Sequence, residues 1–263
     1  MNSRVIAVAN QKGGVGKTTT VVNLAAGLAE LGRRVLIVDL DPQGNATMGS
    51  GIAKQSLKLS GYDVLLGEAS IEEARQPAKE GGYDVLPANR DLGGAELELV
   101  NELAREARLK NALQAVEEQY DYVLIDCPPS LNLLTLNGLV AAHSVLIPMV
   151  CEYYALEGLS DLVATLRKVR VAVNPKIEIM GLLRTMFDAR NNLSQQVSEQ
   201  LARHFGAKVF DTVIPRNVRL AEAPSHGLPG LVYDRASRGA QAYLTLAQEL
   251  ADRLEPATTT PSV

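Results

Sequence analysis

Cysteine is nearly absent. Cys127 and Cys151 are the only two in 263 residues, too few for a disulfide framework and in keeping with a reducing compartment. Histidine is also sparse, and His143, His204 and His226 lie too far apart in the chain to suggest a metal cluster. No apolar stretch reaches the ~18 residues of a membrane span. The opening "MNSRVIAVAN" runs directly into a strand-like segment, so no secretory leader is expected. Cationic excess is missing too, since the net charge is −4. Any contact with nucleic acid must therefore come from a local patch. One region is biased that way: residues 184–238 hold eight cations, seven of them arginine, against five carboxylates, whereas residues 1–183 hold 17 against 22.

Alternation is what the sequence does have. "RVIAVAN", "RRVLIVDLD", "YDVLPA", "YDYVLIDCPP", "HSVLIPMV", "KIEIMGLLRT" and "AKVFDTVIP" read as strands. Between them lie helix-like segments: "TTTVVNLAAGLAEL" stopped by Gly32, a stretch near Glu157–Val171, "NLSQQVSEQLARHF" starting near Asn191 or Asn192, and "RGAQAYLTLAQELADRL". "GAELELVNELAREARLKNALQAVEEQ" reads as one helix or two. Near-continuous apolar strands separated by helices predict an α/β fold whose mainly parallel sheet is covered on both faces. No repeat or linker divides it, so one domain is expected over 1–254, with a disordered polar tail over 255–263. Tyr153 and Tyr154 are expected to pack.

"ANQKGGVGKTTT" follows the first strand and opens the first helix. Backbone N–H groups at a helix start face phosphates with the positive end of the dipole. Gly13, Gly14 and Gly16 let the backbone around Val15 approach closely. Lys17 supplies a point charge to the β- and γ-phosphates, Thr18 a hydroxyl for Mg²⁺, and Thr19 a hydrogen bond to the α-phosphate. Asp39, Asp41 and Asp126 end strands, where α/β sheets bind ligands. Asp126 is expected to hold the Mg²⁺ shell through water. Asp39 is expected to be structural or a helper.

"NQKGGVGKTTT", "VDLDPQGNAT", "YDYVLIDCPPSL", "CEYYALEGLS", "VIPRNVRLAEAPSHG" and "YDRASRGAQAY" together resemble the ParA/Soj partition ATPases. These belong to the deviant Walker A group of P-loop NTPases, and the resemblance runs over nearly the whole chain. It implies a homodimer closed around two ATP molecules, with Lys12 reaching the nucleotide of the other subunit. Burying a triphosphate is costly unless a cation arrives with the partner. Asp41 would orient the hydrolytic water; carboxylates are weak bases toward water, so positioning dominates and turnover is slow. "DCPP" would sense the γ-phosphate. Pro215 and Asn217 would lie at the adenine, and Glu152 would meet the ribose across the dimer.

The same resemblance implies non-specific double-stranded DNA bound through Arg190 and Arg219, with doubling of these contacts in the dimer. It also implies a ParB-type centromere-binding partner and a cytoplasmic, nucleoid-associated location. With no segment ahead of "RVIAVAN", sequence-specific operator binding is not expected. An orphan relative positioning a non-DNA cargo on the nucleoid is the alternative. A MinD-like membrane ATPase would need a basic amphipathic C-terminal helix, and "ADRLEPATTTPSV" offers none. An iron–sulfur reductase would need bridging cysteines. Cys127 and Cys151 read instead as small buried apolar groups.

Overall fold

The computed structural model describes residues 3–255. Its strands are β1 Arg4–Val8, β2 Val35–Asp39, β3 Gln76–Ala78, β4 Tyr83–Leu86, β5 Tyr122–Asp126, β6 Ser144–Val150, β7 Glu178–Phe187 and β8 Val209–Pro215. They make one sheet in the order β3-β4-β2-β5-β1-β6-β7-β8. Every pairing is parallel except β3 with β4. Five helices among the described residues have nine or more residues: α1 Lys17–Glu30, α2 Leu133–Ala141, α3 Ala155–Ala172, α4 Asn192–Phe205 and α5 Arg238–Leu254.

The period of two along each strand sorts its side chains into two apolar layers. Val5, Ala7, Leu36, Val38, Val123 and Ile125 enter the layer shared with α2, α3 and α4. Ile6, Val8, Ile37 and Leu124 enter the layer shared with α1 and α5. The α1–α5 contact is close because Gly27 has no side chain: a Cβ there would stand 2.8 Å from that of Ala247. Gly32 ends α1 as expected, with φ +76° and its N–H on the Ala29 carbonyl at 2.9 Å.

Both sheet edges are blunted. β3 carries Pro77, which cannot donate to a further strand. On β8 the Glu249 carboxylate of α5 accepts the edge amides of Asp211 at 2.9 Å and Thr212 at 2.8 Å. Arg253, one turn later, donates to the carbonyls of Ala207 and Val209, each at 3.0 Å.

The run from Gly94 to Gln119 departs from the one or two helices expected. It breaks into Ala95–Glu98, Leu99–Asn101, Arg105–Ala107 and Arg108–Gln114. Ala104 is left-handed at φ +52°. Asn137 of α2 supplies the physical reason. Its amide donates to the Arg105 carbonyl at 2.9 Å and its oxygen accepts the Leu109 N–H at 3.1 Å. A side chain from another element thus takes both ends of the bond that would have continued the helix.

The tail expected at 255–263 lies outside the described residues from 256 onward. Glu255 itself accepts the Tyr122 hydroxyl at 2.6 Å. No helix among the described residues is long and apolar enough to cross a membrane.

At the opposite end of the sheet from the strand C-termini, His143 Nδ1 accepts the Val5 N–H at 3.1 Å. Burial lowers the His143 pKa; Glu117 pulls it up, and Lys176 and Lys110 push it down. The unfolded chain therefore binds the proton more readily, and the stability this site contributes above the unfolded pKa of ~6.5 is lost as pH falls. His143→Asn keeps an acceptor but does not titrate. It is expected to flatten the dependence of Tm on pH between 7 and 5 relative to wild type, as read by thermal denaturation. An unchanged pH slope would exclude His143 as its source.

Candidate functional site

β1 lies between β5 and β6, where the strand order reverses, so its C-terminal end opens onto a crevice. The loop Ala9–Gly16 fills that end and turns into α1. Asn10 pins it: its amide donates to the Pro148 carbonyl at 2.8 Å and its oxygen accepts the Lys12 N–H at 3.0 Å. From β7, the Thr185 hydroxyl donates to the Val15 carbonyl at 2.8 Å. Gly14 and Gly16 are left-handed, at φ +71° and +87°, and only glycine adopts this readily. Apart from their chain neighbours, no atom of the described residues lies within 4 Å of where a Cβ on Gly13 or Gly14 would stand, so an open cradle faces the loop.

The two lysines stand in different surroundings. Lys17 is 8% exposed and folds back, with Nζ donating to the Lys12 carbonyl at 3.2 Å. Burial lowers its pKa, against the pull of Asp126, Cys127 and Asp41. The Lys12 side chain is 47% exposed, and its Nζ rests on the Glu152 carboxylate of the same chain at 2.6 Å. Tyr153 and Tyr154, expected to pack, are instead 73% and 68% exposed beside that ion pair. They meet only edge to face, with centroids 5.0 Å apart.

The three aspartates divide their roles. Asp39 and Asp126 are register partners at the ends of β2 and β5. Asp39 is fully engaged: Oδ2 accepts the Thr47 N–H at 2.8 Å and hydroxyl at 2.7 Å, and Oδ1 accepts the Asp41 N–H at 3.1 Å. Burial raises its pKa to about 6, opposed by those hydrogen bonds. It holds the 41–47 turn, which is the structural role expected. Asp126 Oδ2 accepts the Thr18 hydroxyl at 2.7 Å, while Oδ1 is buried with no partner among the described residues. Burial, then the Asp39 charge, push its pKa well up. An orphaned buried carboxylate oxygen beside a threonine hydroxyl suits a hydrated divalent cation. Asp41 is half-buried, and its Oδ1 accepts the Gln43 N–H at 2.9 Å.

The remaining candidates lie further along the sheet. Pro215 ends β8 opposite Phe187 of β7. The Asn217 side chain caps the short helix Val218–Glu222 through the Leu220 N–H at 3.2 Å. Arg190 pairs with Asp188 at 3.0 Å, and Arg219 with Glu222 at 2.8 Å and Asp234 at 3.3 Å. Cys127 and Cys151 are buried, and burial raises both thiol pKa values. Sequence reasoning missed Asn10, Thr47 and Thr185. Asn10 adjoins the glycine loop and was within reach; Thr185 comes from 170 residues away and left no local signal.

A family model described as an AAA domain matches residues 3–179. The sporulation initiation inhibitor protein Soj of Bacillus subtilis is 56% identical over 94% of this chain and 98% of its own. The chromosome partitioning protein ParA of Caulobacter vibrioides is 52% identical over 95% and 94%. Among solved structures, a Mycobacterium smegmatis protein described as cobyrinic acid a,c-diamide synthase, with bound ATP analogue and magnesium, superposes with a TM-score of 0.85. It is 40% identical and the match covers 99% of both chains.

Proposed function

This chain belongs to the ParA/Soj family of chromosome-partitioning ATPases, and from that membership we propose an ATP-driven DNA-segregation switch. ATP binds in the glycine loop and closes two copies into a homodimer. The dimer holds duplex DNA without regard to sequence and keeps the protein on the nucleoid. Slow hydrolysis, stimulated by a ParB-type partner, releases it. Thr18 and, through water, Asp126 would hold Mg²⁺, which supplies positive charge to the β- and γ-phosphate oxygens. Pro215 and Asn217 border the adenine.

The observation that carries this reading is the contrast between the two lysines. Lys17 is built into its own loop, whereas among the described residues the Lys12 ammonium is held only by the half-exposed pair with Glu152. Such a pair contributes about 1 kcal/mol or less. A charge-assisted hydrogen bond to a desolvated phosphate contributes about 1.5–3 kcal/mol. Transfer of Lys12 from Glu152 to the other subunit's nucleotide is therefore downhill once phosphate is present, and only then. Glu152, once released, is free to meet the ribose of the facing subunit.

Size exclusion with ATP and Mg²⁺ tests the switch directly: the wild type is expected to elute as a dimer with ATP and as a monomer without nucleotide. Lys12→Ala is expected to bind ATP within a few-fold of wild type and to hydrolyse it at least about tenfold more slowly. Full turnover in that variant would remove Lys12 from the partner's site.

A further inference from the structure

The phosphate loop is held to the sheet at both ends. Asn10 fixes its start to β6 through the Pro148 carbonyl. Thr185 of β7 fixes its end, where the hydroxyl donates to the Val15 carbonyl at 2.8 Å. Thr185 is 2% exposed and Val15 1%, so water does not compete for that bond. The Thr185 Cβ and Cγ2 also stand 3.8 Å from where a Cβ on Gly16 would be.

The peptide that joins Val15 to Gly16 is trans. In a planar trans peptide the C=O and the N–H point in opposite directions. With the Val15 oxygen drawn onto Thr185, the Gly16 N–H is turned away from β7, and it finds no backbone acceptor among the described residues. Nothing in the loop itself enforces this orientation. Gly16 sits at φ +87°, and glycine takes the opposite sign of φ about as readily. Turning the peptide over changes chiefly ψ of Val15 and φ of Gly16, so backbone sterics permit both forms. The inverted form would aim a carbonyl oxygen, an acceptor, where the upright form offers a donor.

β7 bends to make this contact. Its pairing with β8 slips between Arg184 and Phe187. Met186, in that interval, is left-handed at φ +48°. Methionine is strained there, and such strain persists only where the surroundings dictate it. Two contacts bracket Met186: Thr185 beneath the loop, and Phe187 opposite Pro215 of β8.

We propose that Thr185 is a positioning residue for nucleotide binding, whose hydroxyl keeps the Val15–Gly16 peptide turned so that its N–H serves the phosphates common to nucleoside di- and triphosphates. The assignment rests on the ATP-binding reading given above and adds to it a residue from outside the glycine motif. The hydroxyl carries the effect, and the methyl group only packs.

The experiment compares wild type with Thr185→Val, which keeps the shape and removes the donor, and with Thr185→Ser, which keeps the donor. Affinities for ADP and ATP with Mg²⁺ are measured by calorimetry, and turnover by phosphate release. Thr185→Val is expected to weaken ADP and ATP alike by about tenfold to a hundredfold, the loss of one charge-assisted hydrogen bond. Its KM should rise by the same factor while kcat at saturating ATP stays within about twofold. Thr185→Ser should return affinity and KM to within about threefold of wild type. The Gly16 amide proton resonance is expected to move downfield on saturation with ADP in wild type and Thr185→Ser, and not in Thr185→Val. Wild-type affinity and KM in Thr185→Val overturn the proposal and leave the nucleotide site standing. So does a lowered Tm with unchanged KM, which confines Thr185 to packing. A loss for ATP alone also overturns it, because the shared phosphates are then not the ones served. Wild type that binds neither nucleotide overturns the ATP-binding reading itself.

Discussion

Lys17→Ala is expected to lose at least about a hundredfold in affinity for ATP. Two charge-assisted hydrogen bonds to the β- and γ-phosphates disappear, each contributing about 1.5–3 kcal/mol. The folded chain should not suffer in proportion. Without nucleotide, Lys17 is a cation sunk to 8% exposure whose hydrogen-bond acceptor is one carbonyl, that of Lys12. Its lowered pKa records the cost of that burial. Lys17→Met, which keeps most of the aliphatic stem, is expected to melt at or above the wild-type temperature without nucleotide. It should show none of the rise in Tm that ATP and Mg²⁺ give the wild type through linkage. A variant whose Tm climbs with ATP as wild type does would remove Lys17 from the phosphate site.

Asp41→Ala is expected to separate binding from turnover. Asp41 is half-buried, turned back by its bond to the Gln43 N–H, and its charge is felt by Lys17. The carboxylate that sustains the turn is Asp39, through Thr47 and the Asp41 N–H. Removing the Asp41 side chain therefore spares the main anchor of the segment. Losing the group that orients water costs about a hundredfold or more in rate. The expected outcome is a dimer that persists in ATP and remains on DNA, with phosphate release slowed to that extent. Monomeric elution in ATP, or near-wild-type phosphate release, would assign Asp41 to holding the turn alone.

Much of this was legible because chemistry and fold share one local signal. The left-handed glycines, Lys17 and Thr18 lie in one short stretch that follows a strand and opens a helix. Asp39 and Asp126 could be placed at strand ends because apolar runs lead into them, though only the register of β2 with β5 sets them side by side. Where partners lie far apart in sequence, the reading failed. The 95–114 run is rich in alanine, leucine and glutamate, and nothing within it announces Asn137. Tyr153 and Tyr154 were expected to pack because aromatic side chains usually do, but α3 starts at the sheet's open rim and leaves them uncovered. The arginine-biased stretch was visible as composition. Which of its arginines pair with a carboxylate depends on Asp188, Glu222 and Asp234, and composition says nothing of that.

Glu249 and Arg253 have a bearing beyond their own helix. By occupying the outward amides and carbonyls near β8, while Pro77 spoils β3, they leave neither margin able to zip onto a neighbouring molecule. Copies that met at that margin would find the ladder positions at Asp211, Thr212, Ala207 and Val209 already taken, so association between copies falls to other faces.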